Sequence, residues 1–381
     1  MSDLLIIGAG PYGLATASEA KNLGLDFDIV GNPMGFWREH MPVGMILRTG
    51  KEEHLDTRNI HTMDAFMAEN GIPDADMIPL KLSRYLEYTD WFIAKKSLEI
   101  TNALVTRLDF MDGAFKAKLS DRTIRQAKRV IVAIGMGDFK FIPPDLQSLV
   151  PPGRFSHSSD HSGFDEFRSK RILIVGGRQS AFETAALLME HGAQSVHVVC
   201  RHETPQFTRC DFSFMHDILA HVAKDPAWHR NLPEAERDYW RQIAFREGRL
   251  KLESWLAPRL KQGSVQVSDR STLVGITSRE ASLQVTLSTG IEVDCDHIIF
   301  ATGFKPDIAR LAFLRAGNIM AGLQVKDGSP VLDTSFQSSQ SGLYFLGFLS
   351  IADMGQPFGF STGAPTGAKL VTAALKKNGV S

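Results

Sequence analysis

The stretch from Leu4 to Leu14, LLIIGAGPYGL, constrains this chain most. An apolar run enters Gly8, Gly10 and Gly13 at G-x-G-x-x-G spacing, which predicts a buried strand, a tight turn and a helix. The first glycine permits the turn, the second lets backbone approach a pyrophosphate, and the third lets the helix pack close to its strand, so that phosphates meet the helix N-terminus. One such motif has weak specificity. A second, imperfect copy adds weight: in Ile172 to Ala186, ILIVGGRQSAFETAA, Gly176 aligns with Gly8, Ala181 with Gly13 and Ala185 with Ala17. Two nucleotide sites in one chain suggest one nucleotide passing electrons to another.

The flanking periodicities extend both units. A helix through Leu14, Ala17, Ala20 and Leu23, ended by Gly24, leads to a strand over 26–30. Many such units end this strand in an acid that holds the ribose hydroxyls; here that position is Gly31, and Asn32 is the nearest substitute. Phe36 to Ile60 has no clean period and predicts a long loop across the front of the sheet. Helices are expected over 63–70 and 82–95, the second with a broad aromatic stripe suited to a core. Residues 104–110 and 115–119 bracket an Asp112-Gly113 hairpin turn, and 129–134 reads as a buried strand ending at Gly135. The same order recurs at 273–277, 283–287, a Thr289-Gly290 turn and 297–301 before Gly303. Each nucleotide turn thus carries its own antiparallel meander and closing strand.

Between the copies, Ile142 to Gly153 holds Pro143, Pro144, Pro151 and Pro152 and reads as a stiff connector. Residues 203–262 interrupt the second unit as an insertion over the active site, helical from 234 to 247. A last strand at 343–346, a loop with Asp353, Gly355 and Gly359, and a closing helix are expected back in the first domain. The fold class is therefore α/β. Two Rossmann-like dinucleotide-binding domains are expected, one over 1–153 and 304–381 and the other inserted as 154–303.

Composition excludes some partners. Lys+Arg 42 against Asp+Glu 43 gives a net charge of -1, so no global field draws in nucleic acid. No apolar run approaches the roughly 18 residues of a membrane helix, and the first strand starts too early for a signal peptide, so a cytoplasmic chain is expected. Cys200, Cys210 and Cys295 form no C-x-x-C pair, and the histidines show no metal-ligand spacing, so no metal is expected.

With those pieces placed, the chain resembles the class B flavin monooxygenases, in which an NADP domain is inserted in an FAD domain. Similarity is greatest to a bacterial group described as like FAD-dependent urate hydroxylases and N-hydroxylating and Baeyer–Villiger monooxygenases, through FWREHMPVGMILRT, LKLSRYLEYTDWF, VGGRQSAFE, LKLESWLAPRL and FATGFKPDIARLAFL. The resemblance implies that NADPH reduces FAD and that a flavin hydroperoxide passes one oxygen atom of dioxygen to a small organic substrate by N- or C-hydroxylation or Baeyer–Villiger insertion. It implies FAD contacts at Gly8, Gly10, Pro11, Tyr12, Gly13, Asn32, Trp37, Met45, Arg48, Thr49, Asp353, Gly355 and Gln356. NADP contacts fall on Gly176, Gly177, Arg178, Gln179 and Ser180, with Thr302 and Gly303 closing the nucleotide sites.

Three residues keep alternative roles. Arg178 replaces the middle glycine and either blocks close approach or folds over the phosphates as a clamp. Arg201, after the second strand of the inserted unit, serves the 2′-phosphate of NADPH, or the flavin peroxide as a catalytic group, or only the surface. His157 completes the G-x-x-x-H half of a monooxygenase linker fingerprint, as a hydrogen-bonder or a catalytic group. Two rival functions share the layout: a disulfide-type flavin reductase or oxidase without oxygen insertion, which the absent C-x-x-C opposes, and a non-catalytic nucleotide-binding module.

Overall fold

The computed structural model describes residues 1–261 and 263–377; residue 262, the far edge of the expected insertion, and 378–381 lie outside the described residues. β1 (Ser2–Ile7) enters the first glycine turn, α1 (Pro11–Asn22) follows, and β2 (Phe27–Val30) returns beside β1 in parallel, Ile6 opposite Ile29. A one-turn α2 (Gly35–Glu39) breaks the long loop, which then runs to α3 (Met63–Asn70) and α4 (Leu82–Lys96). The meander is β3 (Val105–Met111), β4 (Ala114–Leu119) and β5 (Ile124–Val132), with Asp112 and Gly113 both at positive φ in the tight turn.

β5 starts earlier than periodicity predicts because one strand does two jobs. Its first half pairs antiparallel with β4, and its second half pairs parallel with β1, Ile131 opposite Ile6. Apolar alternation marks only the half buried on both faces.

The second unit opens with β6 (Phe155–His157), then β7 (Arg171–Val175), α5 (Gln179–Glu190) and β8 (Ser195–Val199). The insertion carries α6 (Ser213–Lys224), α7 (Trp228–Asn231), α8 (Glu234–Arg249) and α9 (Leu256–Leu260). After it come β9 (Val265–Ser268), a separate antiparallel meander of β10 (Leu273–Ser278), β11 (Leu283–Leu287) and β12 (Glu292–Cys295), and β13 (His297–Phe300). The parallel sheet has the order β9-β8-β7-β13-β6. Here the closing strand is split from its meander at Asp296, whose carboxylate accepts from Arg171 N at 2.8 Å and Arg171 Nη2 at 2.7 Å. That break makes the two copies differ.

β14 (Leu343–Phe345) then pairs parallel with β5 in the first sheet, and α10 (Ala364–Lys377) packs on α1. Two chain crossings join the sheets and pair with each other: Phe141 N donates to Gly303 O and Lys305 N to Phe139 O, both at 2.9 Å. Separate apolar cores fill both faces of each of these two sheets. Among the described residues no helix is long and apolar enough to cross a membrane.

Candidate functional site

The first glycine turn has the geometry its spacing predicts. Gly8 sits at φ 110°, and a Cβ there would overlap the carbonyl of Ala133; one at Gly13 would overlap Gly8 O. A Cβ on Gly10 would meet nothing within 4 Å, so the backbone ahead of α1 borders open space. This is a cradle that admits a pyrophosphate at a helix N-terminus, with Pro11 at the first helical turn where no N–H is needed.

Tyr12 does something else. Its buried hydroxyl donates to Phe358 O at 2.8 Å and Phe360 O at 3.0 Å, and Gly347, Gly363 and Gly367 leave room for its ring. Only its backbone remains for a nucleotide, while the side chain pins the returning C-terminal segment. Close by, the Glu53 carboxyl accepts from the Thr362 hydroxyl just ahead of α10 and is pushed up by burial. Sequence reasoning missed Glu53; its one signal was an acid in a loop facing the S-T-G that precedes a helix.

At the second turn Gly176 sits at φ 153°, close on Ala301, and Gly177 packs on Cys200 and His202. Arg178 costs no backbone strain, since it is extended at φ -121° where Gly10 is also extended and faces open space. Its guanidinium lies 5.8 Å from the Phe245 ring on α8. Ser180 follows in the first turn of α5, half-buried. Gln179 is turned away from the turn's open side: its amide oxygen accepts from Glu253 N at 3.0 Å in the insertion. Arg201 is exposed after β8 and has no hydrogen-bond or ion-pair partner among the described residues. The strand end carries Cys200, Arg201 and His202 and no acid.

Several other expected contacts are spent on joining parts of the chain. His157 is fully buried; Nδ1 accepts from Ser159 N at 3.2 Å and Nε2 donates to Gly303 O at 3.0 Å. Burial pushes its ring down to about 4. Both ring nitrogens are thus engaged within the chain, an arrangement in which His157 bridges its own strand end to the second crossing. Thr302 donates to Phe141 O, so Thr302 and Gly303 hold the two crossings together.

Arg48 turns to the insertion: its guanidinium donates to Gly248 O at 2.9 Å and Cys210 Sγ at 2.6 Å and lies 3.5 Å from the Glu253 carboxylate. Asp353 accepts from Arg230 Nη2 at 3.1 Å and Leu332 N at 2.9 Å. These contacts tie both side chains to other segments of the chain. Trp37 packs tilted against Tyr85 with ring centroids 4.9 Å apart, Met45 exchanges backbone bonds with Pro42 and Leu82, and Gly355 at φ 103° leaves space for the His229 ring. Thr49 and Gln356 are half-buried at the loop and the C-terminal segment.

The loop also reaches the second unit, where Ile46 N donates to Glu183 Oε1 at 2.7 Å and burial pushes the Glu183 carboxyl up to about 7. An acid inside the apolar run of α5 was a signal for this contact that the sequence reading did not use.

Two glycine turns, one on a mixed and one on a parallel sheet joined by paired crossings, define a two-nucleotide oxidoreductase fold. A family model described as pyridine nucleotide-disulphide oxidoreductase matches residues 5–222, and the chain belongs to that family. The fold is shared with the ornithine N-hydroxylase of Kutzneria sp. 744, with TM-score 0.80, 14% identity and 99% of each chain covered. In sequence, the chain is 27% identical over 374 residues to a probable indole-3-pyruvate monooxygenase of Arabidopsis thaliana, covering 90% of this chain and 84% of the relative. It is 26% identical over 352 residues to a ferredoxin–NADP reductase of Paraburkholderia phymatum, covering 91% and 80%.

Proposed function

We propose that this protein is an FAD- and NADPH-dependent monooxygenase that inserts one oxygen atom into a small organic substrate. The observation that carries the reading is the pair of nucleotide cradles in a chain without a redox dithiol: all three cysteines are buried and unpaired. Electrons passed between the two nucleotides then have no protein disulfide to reduce. Likeness to an indole-3-pyruvate monooxygenase over most of both chains, and the fold shared with an ornithine N-hydroxylase, support dioxygen as the acceptor.

In this reading residues 1–153 and 304–381 hold FAD through Gly8, Gly10, Gly13 and the backbone of Pro11 and Tyr12. Residues 154–303 hold NADPH through Gly176, Gly177 and Ser180, with Arg178 on the phosphates and Arg201 on the 2′-phosphate. Bound FAD supplies dioxygen activation once NADPH has reduced it. The protein's own contribution is to orient the two nucleotides, and the insertion excludes water from the space between them, secured by Arg48 to the loop and by Arg230 to Asp353. Per turnover one substrate, one dioxygen, one NADPH and one proton give the oxygenated product, water and NADP. Three buried free thiols suit a reducing compartment, in keeping with a cytoplasmic enzyme.

The test is coupled turnover. Purified protein should carry stoichiometric FAD that NADPH bleaches. A screen of amines, purines, cyclic ketones and lactams should reveal one class that drives matched NADPH and dioxygen use, with a product one oxygen heavier by mass spectrometry. The likeness to a ferredoxin–NADP reductase motivates a second reading, transfer of electrons to a protein acceptor. NADPH oxidation that proceeds without dioxygen when an artificial electron acceptor is present, and yields no oxygenated product, would decide for it.

A further inference from the structure

The strand end that lacks an acid is met by a carboxylate from elsewhere in the chain. Gly31 follows β2 at φ 143°, and a Cβ there would come within 3.0 Å of Ala9 N and 3.2 Å of Gly8 Cα. An aspartate or glutamate at this position would strain the backbone and crowd the glycine turn. The chain then reverses sharply. Met34 adopts φ 54°, and its N–H donates to Ala9 O at 3.0 Å, which ties the reversal to the turn itself. Gly35 N donates to Asn32 O at 3.0 Å, and Gly35 has no side chain because a Cβ would press on the Asn32 amide at 3.0 Å. α2 carries the chain back over the strand end, and there Glu39 Oε1 accepts from Asn32 Nδ2.

Glu39 is exposed and has no ion-pair partner among the described residues, whereas its neighbour Arg38 is taken by Asp90 at 2.6 Å. Once Asn32 Nδ2 has donated to Glu39, the pair retains two acceptors, Asn32 Oδ1 and the second Glu39 oxygen. A ribose offers two vicinal hydroxyl donors. Resting on the FAD reading of the first turn, we propose that Glu39 and Asn32 together hold the adenosine ribose, with Glu39 supplying from α2 the carboxylate that position 31 has no room for. The same charge repels a 2′-phosphate, so the first cradle selects FAD over NADPH. The second, with Arg201 at its strand end and no acid, makes the opposite choice.

The test is titration of the deflavinated full-length chain with FAD and with FMN, which carries the flavin and one phosphate but no adenosine. Loss of a charged acceptor predicts that E39Q weakens FAD about tenfold or more and leaves FMN within about twofold, with a smaller selective loss for N32A. ADP-ribose should displace FAD from the wild type at lower concentration than FMN does. Unchanged FAD affinity in E39Q overturns the proposal. So does an equal loss for FAD and FMN, which would mean that Glu39 only supports the local fold. A wild-type chain that binds neither flavin overturns the proposal together with the FAD reading beneath it.

Discussion

At His157 burial decides protonation, and the consequence is measurable. The imidazole is fully enclosed and held near 4, against about 6.5 for a free ring. Between those values the unfolded chain binds a proton that the folded chain refuses. Stability from this site is therefore complete above about pH 6.5 and is lost as pH falls toward 4, up to ~3 kcal/mol. The midpoint of thermal unfolding should drop steeply from pH 6.5 to 4.5 in the wild type and less steeply in H157N, followed by circular dichroism. Identical slopes in the two proteins would defeat this account. The G-x-x-x-H spacing singled His157 out from the sequence alone. Its partners could not be read there, because the carbonyl of Gly303 that fixes the ring lies far along the chain.

Among the elements, the two glycine turns with their helices and meanders are local, and their periodicities were legible. Less legible was what each helix start faces. Arg178 at the N-terminus of α5 lies against Phe245 of α8, a contact made across the insertion. If this arginine closes over the NADPH phosphates, R178A should weaken NADP binding about tenfold with FAD content unchanged, as expected for a lost charged hydrogen bond. F245A should weaken it only about two- to fivefold, the worth of an exposed cation–ring contact. The double variant should bind no worse than R178A, since Phe245 acts through the arginine. Calorimetric titration reads all three, and losses that add would refute the coupling. The split between β12 and β13 was also hidden, because the Asp296 that terminates one and anchors Arg171 looks in sequence like any polar strand residue.

For the whole molecule, Arg48 decides how the insertion is held. It spends its guanidinium on three carbonyls, a thiol and Glu253. R48A should cost about 3 kcal/mol by leaving the largely buried Glu253 carboxylate without its cation, read by urea unfolding, and should hasten proteolysis within 203–262. R48K should not restore resistance, because an ammonium cannot reproduce the planar fork. Unchanged proteolysis in R48A would show that the insertion is held by its apolar contacts. By itself the sequence determined the α/β class, the two nucleotide turns, both meanders and the return of the last strand, because these depend on glycine geometry and apolar period within short windows. Tertiary structure alone decided that Tyr12, Arg48, His157 and Asp353 serve as ties between segments, and that Glu39 meets Asn32 where Gly31 leaves no room for an acid. A side chain's role follows from the atoms it meets, and here most of those atoms lie tens or hundreds of residues away.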